Sequence, residues 1–270
     1  MAHTRVALVL LLGLCCWAIA LVSCQEHQNA TKPASEINEP DFETPEYIQP
    51  CNRTDPKLDA CFQNMFNYLK PYLVKGIPEL NLPPIEPLVI PEMKIENGQG
   101  AVRVRALFNN ITAIGPGNYT ISKVRVNISS LRIDIHLKFP KIELQGLYDI
   151  NGNVLLFPIQ SRGEFWALFN EVAGIARAQG VEEVRDGIRY ISITKLLVDF
   201  KLGRIRFRIM DQLNGDNVIG QAMNQFLNQN AHEIIDELKP AASASIAKYF
   251  KGFLGNIFSK LPLKMLLHDT

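Results

Sequence analysis

Residues 51–91 read CNRTDPKLDACFQNMFNYLKPYLVKGIPELNLPPIEPLVIP. Asp55 is placed to cap a helix whose first turn begins at Pro56, where a missing N–H has no intrahelical partner to lose. Leu58, Phe62, Met65, Phe66, Leu69 and Leu73 then recur at three- and four-residue spacing, giving one apolar stripe. Pro71 and Gly76 are expected to end or kink that helix. From Pro78 to Pro91 the prolines forbid a regular helix and favour extended chain.

The order of these pieces is distinctive: a short Cys-to-Cys loop with Asp55-Pro56, then Gly76-Ile77-Pro78-Glu79-Leu80, then Pro84-Ile85-Glu86-Pro87-Leu88. It resembles the N-terminus of the takeout family of insects, relatives of the haemolymph juvenile hormone binding proteins. The resemblance spans roughly Cys51 to Pro262 and implies an α+β fold of the tubular lipid-binding type. In that fold a strongly curved antiparallel β-sheet wraps a long C-terminal α-helix and leaves an elongated apolar cavity. It also implies a secreted carrier of a lipophilic molecule and not an enzyme. Hormone-binding members carry a second disulfide in the sheet, whereas this chain has no cysteine after Cys61. It therefore sits nearer the takeout branch, and juvenile hormone itself is not implied as the ligand.

A formal net charge of +1 opposes an electrostatic nucleic-acid binder. Residues 1–24 read as a secretory signal peptide: Arg5 gives a positive start, Val6 to Val22 is almost wholly apolar, and polar chain begins at Gln25. A signal anchor is the alternative. Leu21-Val22-Ser23-Cys24 also fits a bacterial lipobox, which the insect resemblance opposes. With cleavage after Cys24 the remaining cysteines, Cys51 and Cys61, can pair as a disulfide. Cleavage after Ala20 leaves Cys24 unpaired, and a reducing compartment leaves free thiols. Asn29, Asn52, Asn110, Asn118 and Asn127 each open a glycosylation sequon, as suits a secreted, extracellular glycoprotein. No stable membrane insertion is expected after the signal, because no later apolar run reaches spanning length.

Residues 25–50 carry Pro33, Pro40, Pro45 and Pro50 among carboxylates and read as a disordered leader. The ligand-binding domain is expected over 51–262, followed by a tail at 263–270. Leu131, Ile133, Ile135, Leu137 and Phe139 alternate with polar residues, as do Ile205, Phe207 and Ile209 with Arg204, Arg206 and Arg208. One-sided alternation suits antiparallel strands with one wet face. Asn151-Gly152 and Asp186-Gly187 carry hairpin-turn chemistry. After Asn214-Gly215-Asp216 the period becomes helical, with a weaker turn at Asn230-Ala231 and an interruption or kink at Pro240.

Catalytic signatures are missing: no Gly-x-Ser-x-Gly elbow, His-Glu-x-x-His helix, P-loop or Cys-x-x-Cys pair occurs. His27, His136, His232 and His268 lack metal-ligand spacing and read as solvated side chains. The Arg204, Arg206 and Arg208 ladder reads as a solvated strand face. No catalytic, metal or cofactor site is assigned.

Apolar stripes of this kind ordinarily make a solid core. The family resemblance implies instead that they line a cavity, with Leu69, Leu73, Ile133, Ile135, Leu137, Met223, Phe226 and Leu227 as ligand-binding candidates. The small lipophilic ligand is then a terpenoid hormone, pheromone, fatty acid or similar compound, and a receptor is left open as a second partner. An extracellular lipid-transfer protein that docks on membranes is the alternative function. An esterase acting on a similar ligand is opposed by the missing nucleophile motif.

Overall fold

The computed structural model of the chain describes residues 43–211 and 218–268. The signal segment 1–24, the leader up to residue 42, Asn29 and the Asn214-Gly215-Asp216 turn lie outside the described residues.

Two very long strands form the spine. Strands β5 (Arg132–Val154) and β6 (Phe157–Arg185) pair antiparallel along the whole of β5, from Val154↔Phe157 to Arg132↔Gln179. Twenty-three residues of strand span on the order of 70 Å if straight, so no single neighbour covers either side. Beyond β5, β3 (Val102–Ile114) pairs with one half and β4 (Thr120–Asn127) with the other. Beyond β6, β8 (Arg204–Asp211) and β7 (Ile188–Lys201) divide the length in the same way. Strand β2 (Leu88–Asn97) adds to β3, giving the path β2-β3-β5-β6-β7.

Bulges bend this sheet. The β3/β5 register shifts between Asn109 and Thr112, where Asn110 takes φ 50°, and further shifts fall at Ile121/Lys123 and Gln179/Gly180. Each extra residue kinks its strand and increases the local twist. The curl is closed by the C-terminal helices α2 (Val218–Gln229) and α3 (Ala231–Phe258). Helix α3 packs chiefly on both outer strands of the path, β2 and β7. Ser245 Oγ donates to the Lys94 carbonyl of β2 at 2.6 Å, and Lys239 Nζ meets Asp199 of β7 at 2.8 Å. The structure is thus the α+β arrangement of curved antiparallel sheet around C-terminal helix.

Helix α1 (Leu58–Lys75) starts two residues later than expected, with the Asp55 carboxylate accepting from the Lys57 N–H at 2.7 Å. It also runs through Pro71. Packing holds it on both sides of the proline: Phe62 and Phe66 lie against the β4/β5 cluster, Leu69 and Leu73 against Ile77, Leu80 and Leu82. Pro240 likewise lies inside α3, and the chain breaks instead at Asn230.

Three expectations are corrected. Asn151-Gly152 is not a turn: both residues sit within β5, and the hairpin turns at Leu155-Leu156. Gly152, at φ 145°, is needed because a Cβ there would lie 2.1 Å from the Arg103 carbonyl oxygen of β3. Asp186-Gly187 does turn, with φ 52° and 77°, the left-handed pair that a tight hairpin needs. The folded domain begins upstream of Cys51, since Ile48 is 8% exposed and packs on Leu80 and Leu261. The stretch from 263 is no tail: Leu263 and Leu267 are buried with Cys51, and β9 (Leu267–His268) pairs parallel with β1 (Cys51–Asn52). Apolar side chains outside the assumed domain found partners that only the closed fold supplies.

Candidate functional site

The candidate site is the interior between sheet and helix α3. Alternation fixes which side chains enter it. On β3, Val102, Val104, Ala106 and Phe108 point inward; β5 contributes Leu144, Gly146, Tyr148, Ile150 and Val154 opposite them. On β6 the same face carries Phe165, Ala167 and Phe169, and on β8 it carries Ile205, Phe207 and Ile209. Edge-to-face ring contacts line it, Phe108 with Phe165 at 5.2 Å and Phe169 with Phe207 at 6.0 Å. From the helix, Tyr249 and Phe250 pack against the same buried cluster of Leu88, Ile90, Ile111 and Ala113 that Leu144 and Phe165 meet from the sheet.

Many of these groups are incompletely buried. Phe108, Phe165, Phe169, Phe207, Ile209, Tyr249 and Phe250 all retain accessible surface, although each lies on the enclosed face. Two open clefts flank the helices as well. One of about 740 Å³ runs beside β8 between Trp166, Arg206, Arg208 and the α2 residues Gln221, Asn224 and Asn228. The other, about 350 Å³, lies between Ile175, Leu197 and Val198 of the sheet and Lys239 and Ser243 of α3.

The eight ligand-binding candidates are not brought into one place. Leu69 and Leu73 pack with Ile77, Leu80, Leu82 and Leu261. Ile133, Ile135 and Leu137 pack with Tyr119, Ile121 and Val124 beneath α1. Met223, Phe226 and Leu227 pack with Val102, Val154, Ile159 and Ile234, and Phe226 stacks edge-on to Phe157 at 5.2 Å. Helical and strand periodicity marks apolar faces but does not say which distant residues each face meets.

Sequence reasoning also missed a polar cluster on the inward face. Tyr148 of β5, Ser161 of β6 and Asp211 of β8 share that face, because Tyr148 and Asp211 both stand opposite Gly163. The Tyr148 and Ser161 hydroxyls are 2.7 Å apart, and Ser161 Oγ donates to Asp211 Oδ2. Tyr148 is 3% exposed and Asp211 9%. Burial pushes the Tyr148 hydroxyl above its ordinary value, opposed by its bond to Ser161 and reinforced by the Asp211 charge. The sequence did carry a signal: the alternation Ile205, Phe207, Ile209 continues inward to a carboxylate at residue 211.

Cys51 and Cys61 form a disulfide with Cα atoms 6.0 Å apart. Asn52, Asn110, Asn118 and Asn127 are all exposed. Arg204, Arg206 and Arg208 face outward, and Arg204 meets Glu171 at 3.3 Å. Among the described residues no three His, Cys, Asp or Glu side chains gather as metal ligands, and no helix is long and apolar enough to cross a membrane.

Comparison with known proteins gives one consistent family. The family model described as haemolymph juvenile hormone binding protein matches residues 19–268. The circadian clock-controlled protein daywake of Drosophila yakuba is 22% identical over 224 residues, covering 80% of this chain and 86% of its own. Its Drosophila melanogaster counterpart is 23% identical over 228 residues, covering 81% and 86%. Among solved structures, Epiphyas postvittana Takeout 1 shares the fold with a TM-score of 0.68 at 20% identity, over 82% of this chain and 100% of that one.

Proposed function

Because the chain belongs to the haemolymph juvenile hormone binding protein family, we propose that it is a secreted carrier that holds a small lipophilic ligand between its curved sheet and helix α3. The observation that carries this reading is the incomplete burial of Phe108, Phe165, Phe169, Phe207, Tyr249 and Phe250 on the enclosed face. Helix α3 is fastened to the two outer strands, so its apolar side need not settle onto the spine. Ligand hydrocarbon entering that space leaves water, contributing about 25 cal/mol per Å² buried. The protein supplies enclosure and orientation; no reaction is assigned to it. Export is supported by the signal-like segment 1–24, the disulfide and the exposed sequons.

Native mass spectrometry of protein purified from its own source tests this directly. Adducts of lipophilic mass should accompany the folded protein and disappear on denaturation. Calorimetry with a long-chain lipid should show a negative heat-capacity change on binding. Absence of both, for a folded and monodisperse sample, removes the carrier reading.

One observation favours the membrane-docking alternative. The β5–β6 hairpin turns on leucines where turn chemistry favours Asn-Gly: Leu155 takes φ 55°, and Leu156 is 91% exposed beside exposed Phe157. Such a tip is shaped to insert among lipid headgroups. Liposome co-sedimentation lost in Leu156→Asp, with ligand binding retained, would support transfer at membranes. A protein that never sediments with liposomes is a soluble carrier.

A further inference from the structure

From the hydrogen-bond polarity of the buried chain Tyr148–Ser161–Asp211, we infer that this protein selects lipophilic ligands bearing a hydrogen-bond donor, such as a long-chain or terpenoid alcohol, over esters, ethers and epoxides. The inference rests on the carrier reading above. The three side chains sit on the inward face between two apolar clusters. Ile150 on one side packs against the cluster of Val102, Val104, Val154, Ile159 and Ile234, while on the other Phe108 and Phe165, in edge-to-face contact, pack against Leu88, Ile90, Ile111 and Ala113. A ligand lying along the interior passes them.

The direction of every hydrogen in the chain follows from the carboxylate. Asp211 offers lone pairs and no hydrogen, so the Ser161 hydrogen goes to it. Ser161 Oγ then has lone pairs alone for Tyr148, so the Tyr148 hydroxyl donates to it across 2.7 Å. Both hydroxyl hydrogens are thereby used, and what the two hydroxyls keep is lone pairs. Ser161 retains accessible surface, which lets a ligand atom approach. An alcohol can donate into this site. An ether, ester or epoxide oxygen meets lone pair with lone pair, and leaves a polar group buried without a partner. Bond direction set by a charged acceptor at one end also strengthens each link.

The test uses the full secreted protein and displacement of the fluorescent probe N-phenyl-1-naphthylamine by dodecan-1-ol and by dodecyl methyl ether. The alcohol should displace the probe about tenfold more effectively than the ether, the difference one hydrogen bond supplies. Ser161→Ala breaks the chain and should bring the ratio to about one. Asp211→Asn replaces the acceptor-only carboxylate with an amide that can accept or donate, so the direction of the chain is no longer imposed and the alcohol preference should fall toward one. Should Asp211→Asn not fold, Ser161→Ala decides the matter alone. Equal displacement by both compounds from the wild type overturns the inference and leaves the carrier reading standing. A wild-type preference that survives Ser161→Ala also overturns it. Failure of the probe and both compounds to bind overturns inference and carrier reading together.

Discussion

The side-chain amide of Asn224 in helix α2 pairs with the backbone of Ile209 in strand β8 as a neighbouring strand would, accepting its N–H at 2.8 Å and donating to its carbonyl at 2.9 Å. One helical turn later, Asn228 does the same with Phe207, at 2.9 and 2.7 Å. Four helical residues rise about 6 Å and two strand residues about 6.8 Å, so the two ladders stay in step. Strand β8 pairs with β6 on its other side, and the asparagines blunt an edge that would otherwise template association with another chain.

Asn224→Ala should therefore uncouple α2 from β8. The loss of two bonds at a partly buried backbone is expected to cost about 1–3 kcal/mol in denaturant unfolding. Hydrogen exchange at the Ile209 amide should speed up more than at Leu196 of β7. Unchanged exchange at Ile209 would show that the amide pairing is dispensable.

Glu86 performs a similar service for the 115–117 turn. Its carboxylate accepts from the Gly115 N–H at 3.0 Å and from the Gly117 N–H at 2.8 Å. Removing it in Glu86→Ala leaves part-buried donors unpaired, at a cost of about 2–3 kcal/mol. Glu86→Gln keeps one acceptor oxygen and should lose less. Equal loss in both variants would point to packing rather than to the hydrogen bonds.

The Cys51–Cys61 bridge closes a short loop joining β1 to the first turn of α1, next to buried Leu263 and Leu267. On the chain-entropy account Cys61→Ala loses about 2.5–3 kcal/mol. The folded, unreduced domain should show neither of these thiols to an alkylating reagent. Labelling of both Cys51 and Cys61 in that state contradicts the pairing.

Acid should loosen the hold of α3 on β7. Asp199 is held below the usual carboxylate range, first by its hydrogen bond from Lys239 and then by that ammonium charge. A depressed folded value means that the contribution is present above the unfolded value, near 3.9, and is lost as pH falls through the folded one. The pair is partly exposed, so the effect is small. Stability measured between pH 5 and 2 should fall less steeply in Lys239→Met than in the wild type. Parallel curves would remove Asp199 from the account.

What the sequence determined by itself is local. The alternation of Ile133, Ile135, Leu137 and Phe139 marks a one-faced strand, and the stripe from Leu58 and the helical period after residue 216 mark helices, because each periodicity lies within one element. Cys51 and Cys61 are candidates to pair only on the reading that the chain is cleaved after Cys24; the structure joins them. The order of short motifs before Pro91 pointed to the right family. The tertiary structure decided everything that depends on which distant residues meet. Asn151-Gly152 reads as a turn until β3 passes close enough to require Gly152 within the strand. Leu263 and Leu267 read as a tail until β1 offers them a partner. Tyr148, Ser161 and Asp211 are ordinary polar residues until the curl of the sheet places them on one enclosed face, where burial makes each hydroxyl hydrogen find an acceptor. Periodicity reports the face a side chain takes, and long-range pairing alone fixes what stands opposite.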